Sequence, residues 1–375
     1  MKKKLKKETG KVACSCKKIL KESEVKTPTH FVFQFLQEPQ QDPIREFHLF
    51  AGIGGGIYGG ELLGHQCCGG VEIMPYAQGV LRQRQKDGWL PKFPIYGDLC
   101  ELNGNQFKGS FDVLCGGFPC QAFSSAAHGK NIPEKNLWGE MFRFVKESDA
   151  PIVFGENVVL RAIKKARVDL ESVGYKVQIV RLSNADLGAD HQRYRFWLLA
   201  VKDDVVFEKV RRTLVTRKKL NGCCWEQSPD KALESVKLEE SCRSDQLLGI
   251  GNAQSPLVAA TAFRILVNRH MNQKSFQGVI ASEDEISKVF DVRKTWIKKT
   301  FGDSFGMIHT PTTVANYCCA SMQKHPSCRN YIKVFCSKIR RPSPIHAEYL
   351  MGFPIGASCC HPQTLNNVIR WRDSP

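Results

Sequence analysis

The sequence lacks several features that mark common protein classes. None of its apolar runs approaches the ~18 residues of a transmembrane helix, and the N-terminal residues have no signal-type apolar core. It contains sixteen cysteines, but no pair has the C-x-x-C spacing typical of zinc ligands or redox thiols. We therefore predict a reduced, intracellular protein that contacts no membrane and holds no structural metal.

Acidic residues are too few to balance the basic ones. The chain has 54 Lys and Arg against 37 Asp and Glu, for a net charge of +17. Residues 1–26 carry a net charge of +7 and residues 261–375 carry a net charge of +9, so residues 27–260 are nearly neutral. Such basic regions favour a polyanionic partner. For the N-terminal lysines, a merely solvated surface and a nuclear targeting signal remain alternatives; we expect a nuclear protein in a eukaryote and a cytoplasmic one otherwise.

Strand-like and helix-like segments alternate from residue 46 onward, a pattern typical of an α/β fold with a parallel, doubly wound sheet. Residues 203–245 allow no assignment, and residues 246–267 predict a turn followed by an apolar helix capped by Asn252 or Ser255. The predicted strands are 46–50, 67–73, 111–117, 150–157, 175–182 and 194–201, and the predicted helices are 57–63, 75–86 and 158–172.

A glycine-rich turn, FAGIGGG at 50–56, lies between the first strand and the first helix. Glycines there allow the backbone to approach a ligand closely. Glu72 ends the next strand, where a carboxylate can accept hydrogen bonds from ribose hydroxyls. Asp98 follows a later strand and can receive the amine of an adenine, or it can simply satisfy its own turn. The pattern favours one adenosine-containing cofactor over a triphosphate or a dinucleotide.

The segment GGFPCQAFS at 116–124 places Cys120 just beyond a strand, where it can be packing, a metal ligand or a nucleophile. Open α/β sheets bind ligands at this edge. Glu156 ends the next strand, and Arg193 and Arg195 stand at alternate positions of an extended segment. A cysteine, a carboxylate and two guanidiniums at one edge suit nucleophilic attack on an electron-poor ring.

Taken in order, FAGIGGG, VEI, GGFPCQAFS, FGENV, QRYRFWLLA and GNAQSPLVA resemble the motifs of the DNA cytosine-5 methyltransferases, and the first motifs are most similar to the bacterial and phage branch. The resemblance implies a Rossmann-like, S-adenosylmethionine-dependent catalytic sheet with a smaller basic target-recognition domain. It leaves open whether methylation serves restriction-modification, and we expect a monomer that binds double-stranded DNA.

The resemblance implies roles for individual residues. Cys120 attacks carbon 6 of a flipped cytosine, Glu156 contacts ring nitrogen 3 and the amine, and Arg195, supported by Arg193, holds the substrate. Pro119 helps to position both ligands. The residues implied to line the cofactor pocket are Phe50, Gly52, Gly54, Glu72, Asp98, Pro119 and Asn252.

The sequence departs from the family pattern in several places. His48 stands where an acidic residue is usual, and Tyr194 stands where glutamate is common. The Gly-Asn segment at 251 precedes GFPIG at 352, although it usually comes last. We therefore predict a basic, disordered tail at 1–45, a catalytic domain at 46–269, a target-recognition region at 270–345 and a C-terminal segment at 346–375 that packs near the catalytic domain.

Two other functions fit parts of the sequence. A basic chain suits RNA as well as DNA, but the Cys-Phe-Thr signature of the branch that methylates transfer RNA does not occur. After Cys120, the segment NIPEKNLW at 131–138 lacks the serine and arginine that the family usually has before Leu137. A catalytically inactive DNA-binding regulator would explain this segment and His48, whereas the retained Cys120, Glu156 and Arg195 favour an enzyme.

Overall fold

The structure is a computed structural model that describes residues 42–119, 137–189, 192–215, 219–221, 242–272, 278–291, 344–354 and 356–363. The chain divides into two units after Asp42, and every described residue except Asp42 belongs to the second. The predicted tail at 1–45 therefore lies almost entirely outside the described residues, as does Cys120. The domain boundaries stay predictions.

Strands and helices alternate along the described chain, as the sequence predicts. The strands are β1 (Arg45–Leu49), β2 (Gln66–Val71), β3 (Ile95–Tyr96), β4 (Val113–Gly117), β5 (Ile152–Asn157), β6 (Lys176–Leu182), β7 (Arg195–Val201), β8 (Leu220–Asn221) and β9 (Phe290–Asp291). The helices are α1 (Gly55–Leu63), α2 (Pro75–Lys86), α3 (Trp138–Ser148), α4 (Leu160–Glu171), α5 (Asp204–Val215), α6 (Arg243–Asn252), α7 (Pro256–Met271), α8 (Glu283–Val289) and α9 (Pro344–Met351).

The main sheet has seven strands in the order β3-β2-β1-β4-β5-β7-β6. Strands β1 to β5 pair in parallel, but β7 runs antiparallel to both of its neighbours. The prediction of a wholly parallel sheet is therefore wrong at β7. The physical reason is the connection from β6, whose described residues hold only a three-residue 3-10 turn, Ala185–Leu187, whereas a parallel return needs a longer crossover, usually a helix.

Both faces of the sheet are covered by helices, which explains why its strands are apolar at consecutive positions. In β5, Ile152 and Phe154 pack on the face that is shared with α7, while Val153 packs on the face that is shared with α3 and α4. The side chains of β7 divide in the same way because strand residues point alternately to opposite faces. This mixed α/β architecture confirms the predicted fold class.

Helix α7 is buried over most of its length, with Ala259, Ala260 and Ala262 among its buried residues. Its start corrects the sequence prediction. Ser255 occupies the N-cap position without a side-chain capping bond; its hydroxyl instead accepts a hydrogen bond of 3.1 Å from Asn184 and donates one of 2.8 Å to the Met351 carbonyl. Asn252 is the last residue of α6, so the turn predicted from residue 246 is instead the second half of a helix.

Two later segments of the chain pack against the sheet or against the helices beside it. The segment 278–291 contacts the edge strand β6. The amide of Arg181 donates a hydrogen bond of 2.5 Å to the Val279 carbonyl, and the amide of Ala281 donates one of 3.2 Å to the Arg181 carbonyl. The return segment, which we define as residues 344–354 and 356–363, packs on α2 and α6. Among the described residues, no helix is long and apolar enough to cross a membrane.

Candidate active site

The carboxyl edge of the sheet brings several predicted site residues together. Strands β1, β4 and β5 end side by side there, with Leu49 opposite Gly116 and Gly117 opposite Glu156. Because β7 runs in the opposite direction, its first residue, Arg195, reaches the same edge. This edge contains a small cavity of about 40 Å³.

Four of the predicted residues line this cavity: Phe50, Gly52, Glu156 and Asn252. Phe50 has a φ of 54°, in the left-handed region, which is costly for an aromatic residue and is found mainly at functional sites. Glu72 stabilises the glycine-rich loop at 50–56 from the side away from the cavity. Its carboxylate accepts hydrogen bonds of 2.7 Å from the amides of Gly52 and Met74.

Gln254 was not predicted from the sequence, yet it lines the cavity. A Cβ on Gly55 would lie 3.0 Å from the Gln254 carbonyl carbon, so only glycine permits this close approach of the two backbones. The side chain of Gln254 is hydrogen-bonded to Glu156. The signal in the sequence was its position two residues after Asn252 in GNAQSP.

Glu156 is buried beside two arginines. Its Oε1 lies 3.1 Å from Nε of Arg195. Burial raises the pKa of Glu156 above its usual value, while the charges of Arg195 and Arg193 and the hydrogen bond with Gln254 oppose that rise. The carboxyl group is therefore able to bind a proton more readily than an exposed glutamate.

Arg193 is buried and links β7 to the end of α6. Its guanidinium donates hydrogen bonds of 2.7 Å to the Gly251 carbonyl and 2.9 Å to the Ala253 carbonyl. Burial lowers the pKa of Arg193 well below its usual value, and the charge of Arg195 lowers it further, whereas Glu156 opposes the change. Arg193 thus fixes the backbone that presents Asn252 and Gln254 to the cavity.

Three other predicted residues, Gly54, Asp98 and Pro119, do not line the cavity. Gly54 is the N-cap of α1, with a φ of 96°. Asp98 accepts a hydrogen bond of 2.9 Å from the Cys100 amide, so it satisfies its own turn, the simpler alternative that the sequence allowed. Pro119 is half-buried, and the preceding residue, Phe118, accepts a bond of 2.8 Å from Asn157.

Behind the glycine loop lies the acid–histidine cluster, which we define as Glu46, His48 and His65. Glu46 Oε2 is 2.9 Å from His48 Nε2, and its Oε1 is 2.6 Å from His65 Nδ1. Burial raises the pKa of Glu46, but the charge of His65 and the hydrogen bonds of both histidines outweigh burial and lower it to about 2. A carboxylate only accepts hydrogen bonds, so both imidazoles donate to it.

His48 also lines the cavity, and a Cβ on Gly56 would lie 3.3 Å from His48 Nδ1. The substitution of histidine for the usual acid at this position was visible in the sequence. Its partners were not, because nothing in an apolar strand indicates that Glu46 and His65 meet.

Comparisons with known proteins identify the family of this chain. Residues 44–355 match the family model described as C-5 cytosine-specific DNA methylase, and the chain belongs to that family. It is 29% identical over 182 residues to the type II methyltransferase M.HhaI of Haemophilus parahaemolyticus, covering 45% of this chain and 53% of that protein. It is 28% identical over 180 residues to M.MspI of Moraxella sp, covering 45% of this chain and 41% of that protein.

The chain thus spans about half the length of the curated relatives it matches. Among solved structures, it is similar to the S. pombe Dnmt2 methyltransferase, with 20% identity and a TM-score of 0.36, over 43% of this chain and 50% of that chain.

Proposed function

We propose that the chain transfers a methyl group from S-adenosylmethionine to carbon 5 of cytosine in double-stranded DNA. The observation that carries the proposal is the register of β4 and β5, in which Gly117 lies opposite Glu156. The chain therefore leaves β4 for Cys120 at the edge where Glu156 and the glycine loop border one cavity. A nucleophile, an acid and a cofactor loop at one edge suit methylation of a ring.

The cavity residues fit S-adenosylmethionine, which supplies the methyl group when bound. Each carboxylate oxygen of Glu72 accepts one backbone amide and keeps a lone pair for a ribose hydroxyl. Phe50, Gly52 and Asn252 line the cavity, and Glu72 lies behind the loop that carries Gly52. We assign Gly54, Asp98 and Pro119 to the border of this pocket on the family resemblance alone.

In the proposed reaction, the Cys120 thiolate adds to carbon 6 of a flipped cytosine and breaks the 5,6 double bond. Glu156, whose pKa is raised mainly by burial, donates a proton to ring nitrogen 3 and takes up the charge that builds there. Arg195 orients this carboxyl group at 3.1 Å, and Arg193 fixes the adjoining backbone. After methylation, a base removes the carbon 5 proton, the 5,6 double bond re-forms as the thiolate leaves, and the proton on ring nitrogen 3 returns to Glu156.

We assign base readout to residues 270–345, whose region carries much of the net charge of +17. Phosphate contacts there would supply affinity, and contacts to base edges would supply specificity. Residues 278–291 attach the start of this region to the edge of the catalytic sheet, because Arg269 donates hydrogen bonds to the Ile179 carbonyl of β6 at 2.5 Å, to Glu285 at 2.6 Å and to the Gly278 carbonyl at 3.1 Å.

The test measures transfer of labelled methyl from S-adenosylmethionine to duplex DNA and to transfer RNA. Wild-type protein should label DNA, Cys120→Ala should lose at least ~10³-fold in rate, and Cys100→Ala, a change at an exposed thiol, should label as wild type does. Labelling of RNA alone would favour the transfer RNA branch. Tight DNA binding without any labelling would favour an inactive regulator.

A further inference from the structure

Three metal-ligating side chains meet near the N-terminus of α6, the opposite end of this helix from the cavity residue Asn252. Cys242 directly precedes α6, while Cys360 and His361 lie in the return segment. The Cys360 and Cys242 sulfurs are 3.5 Å apart across a separation of 118 residues. All three ligand atoms lie within 4.8 Å of one another. We call Cys242, Cys360 and His361 the thiol–imidazole cluster.

The spacing of the two sulfurs excludes a disulfide and fits either a thiol–thiol hydrogen bond or two thiolates on one metal ion. A disulfide needs about 2.05 Å between its sulfurs. Two thiolates on tetrahedral zinc, each with a Zn–S bond of about 2.3 Å, stand about 3.8 Å apart. The observed 3.5 Å is much nearer to the second value. We propose that the thiol–imidazole cluster binds one zinc ion through Cys242, Cys360 and His361.

The ligands are held in place by contacts that do not involve a metal. Arg84, whose side chain is fully buried, donates hydrogen bonds to the carbonyls of Gly356, at 2.9 Å, and His361. Tyr76 donates to the Ser358 carbonyl at 2.8 Å. The loop that carries Cys360 and His361 is therefore fixed on α2 at several points, and such outer contacts are what orient the ligands of natural zinc sites.

Zinc binds cysteine as the thiolate, so zinc binding releases thiol protons, as it does at other cysteine sites. Among the described residues, no fourth His, Cys, Asp or Glu lies at that mutual distance.

The site has a structural role. Zinc would join the return segment to the N-terminus of α6, whose other end carries Gly251, held by Arg193, and Asn252, which lines the cavity. It would thus brace the helix that completes the pocket. No zinc motif is visible in the sequence because these ligands come from two distant parts of the chain, and a C-x-x-C search detects only ligands that are neighbours.

The experiment measures bound metal on the full chain purified under reducing conditions with zinc. Wild-type protein should hold about one zinc ion per chain, while Cys242→Ser, Cys360→Ser and His361→Ala should each lose most of it. His361→Cys should retain the metal because a thiolate replaces the imidazole. Cys100→Ser, at an exposed cysteine, is the matched control and should keep the metal.

A second measurement uses wild-type protein, so it tests the proposal even if the variants fail to fold. Zinc is removed from wild-type protein with a chelator and replaced by Co²⁺. The spectrum should show thiolate charge-transfer bands and the strong visible bands of tetrahedral cobalt, and His361→Cys should shift them. Three results would each overturn the proposal: no bound metal in wild type, zinc retained in both serine variants, or a Cys242–Cys360 disulfide in protein that takes up no cobalt.

Discussion

Arg193 donates a hydrogen bond of 2.7 Å to the carbonyl oxygen of Gly251. This bond joins the start of β7 to the end of α6, two elements that border the same cavity from different parts of the chain. On the other side of Asn252, the carbonyl of Ala253 accepts a bond of 2.9 Å from the same nitrogen. One buried guanidinium nitrogen therefore sets the position of Asn252 between these two carbonyls.

Replacing Arg193 with leucine should weaken the pocket and the fold together. The change leaves two buried carbonyls without a donor and removes a buried charge near Glu156, so we expect a loss of about 3 kcal/mol in the free energy of unfolding. Binding of S-adenosylmethionine should weaken by roughly tenfold or more. Urea unfolding and titration calorimetry measure the two effects. Arg212→Leu, at a side chain that is 76% exposed, should change neither, and wild-type affinity in Arg193→Leu would contradict the role.

Replacing Gly117 with alanine should slow methyl transfer with little loss of stability. The added Cβ would lie 2.8 Å from Glu156 Oε2 and 2.9 Å from Gln254 Nε2, so both side chains must move. A displacement of about 1 Å at a reacting group can cost about 10²-fold in rate. Single-turnover methylation of duplex DNA measures the effect. The matched control is Gly139→Ala, where a Cβ meets nothing within 4 Å; equal rates in the two variants would rule out the displacement.

The charge of Glu46 should stabilise the fold at neutral pH. Its pKa falls from 4.5 to about 2 on folding, so its contribution of about 3 kcal/mol is complete above about pH 4.5. The contribution disappears as the pH falls from there toward 2. Glu46→Gln should therefore unfold more easily than wild type at pH 7, and the difference should shrink below pH 4. Urea titrations across this range, with the exposed Glu101→Gln as control, measure it; a difference that is independent of pH would contradict it.

Deleting residues 1–26 should weaken DNA binding without changing the preferred site. This segment carries +7, and contacts between lysines and phosphates carry no sequence information. Affinity should fall most at low salt, and the slope of log affinity against log salt should decrease by about 0.9 for each phosphate that the tail neutralises in the intact protein. A chain of the same length with its tail lysines replaced by glutamine controls for length. A changed methylation site in the truncated protein would show that the tail reads bases.

Most strand boundaries could be predicted from the sequence because these strands are buried on both faces. The strand predicted at 175–182 is observed at Lys176–Leu182, and the helix predicted at 75–86 is observed at Pro75–Lys86. The direction of β7 could not be predicted in this way, because an apolar run looks the same in a parallel and an antiparallel pair. Helix α5, at 204–215, was not predicted from the sequence because its charged residues obscure the apolar face.

At the site, the sequence identified residues whose types and positions suit the chemistry. Glu156 and Asn252 line the cavity because they end elements that converge on one edge. Gln254 and the Glu46–His65 contact were not identified, because each depends on two segments approaching in space. The thiol–imidazole cluster was not identified for the same reason, because its two sulfur ligands lie 118 residues apart in the sequence.

By itself, the sequence determined the α/β class, the family and the order of its motifs, since local apolar periodicity and short motifs depend only on neighbouring residues. Only the tertiary structure decided that β7 reverses, that Arg193 holds the end of α6, and that Cys242 meets Cys360 and His361. Such contacts depend on how distant segments pack, and no local pattern of residue types encodes which distant groups come within bonding distance.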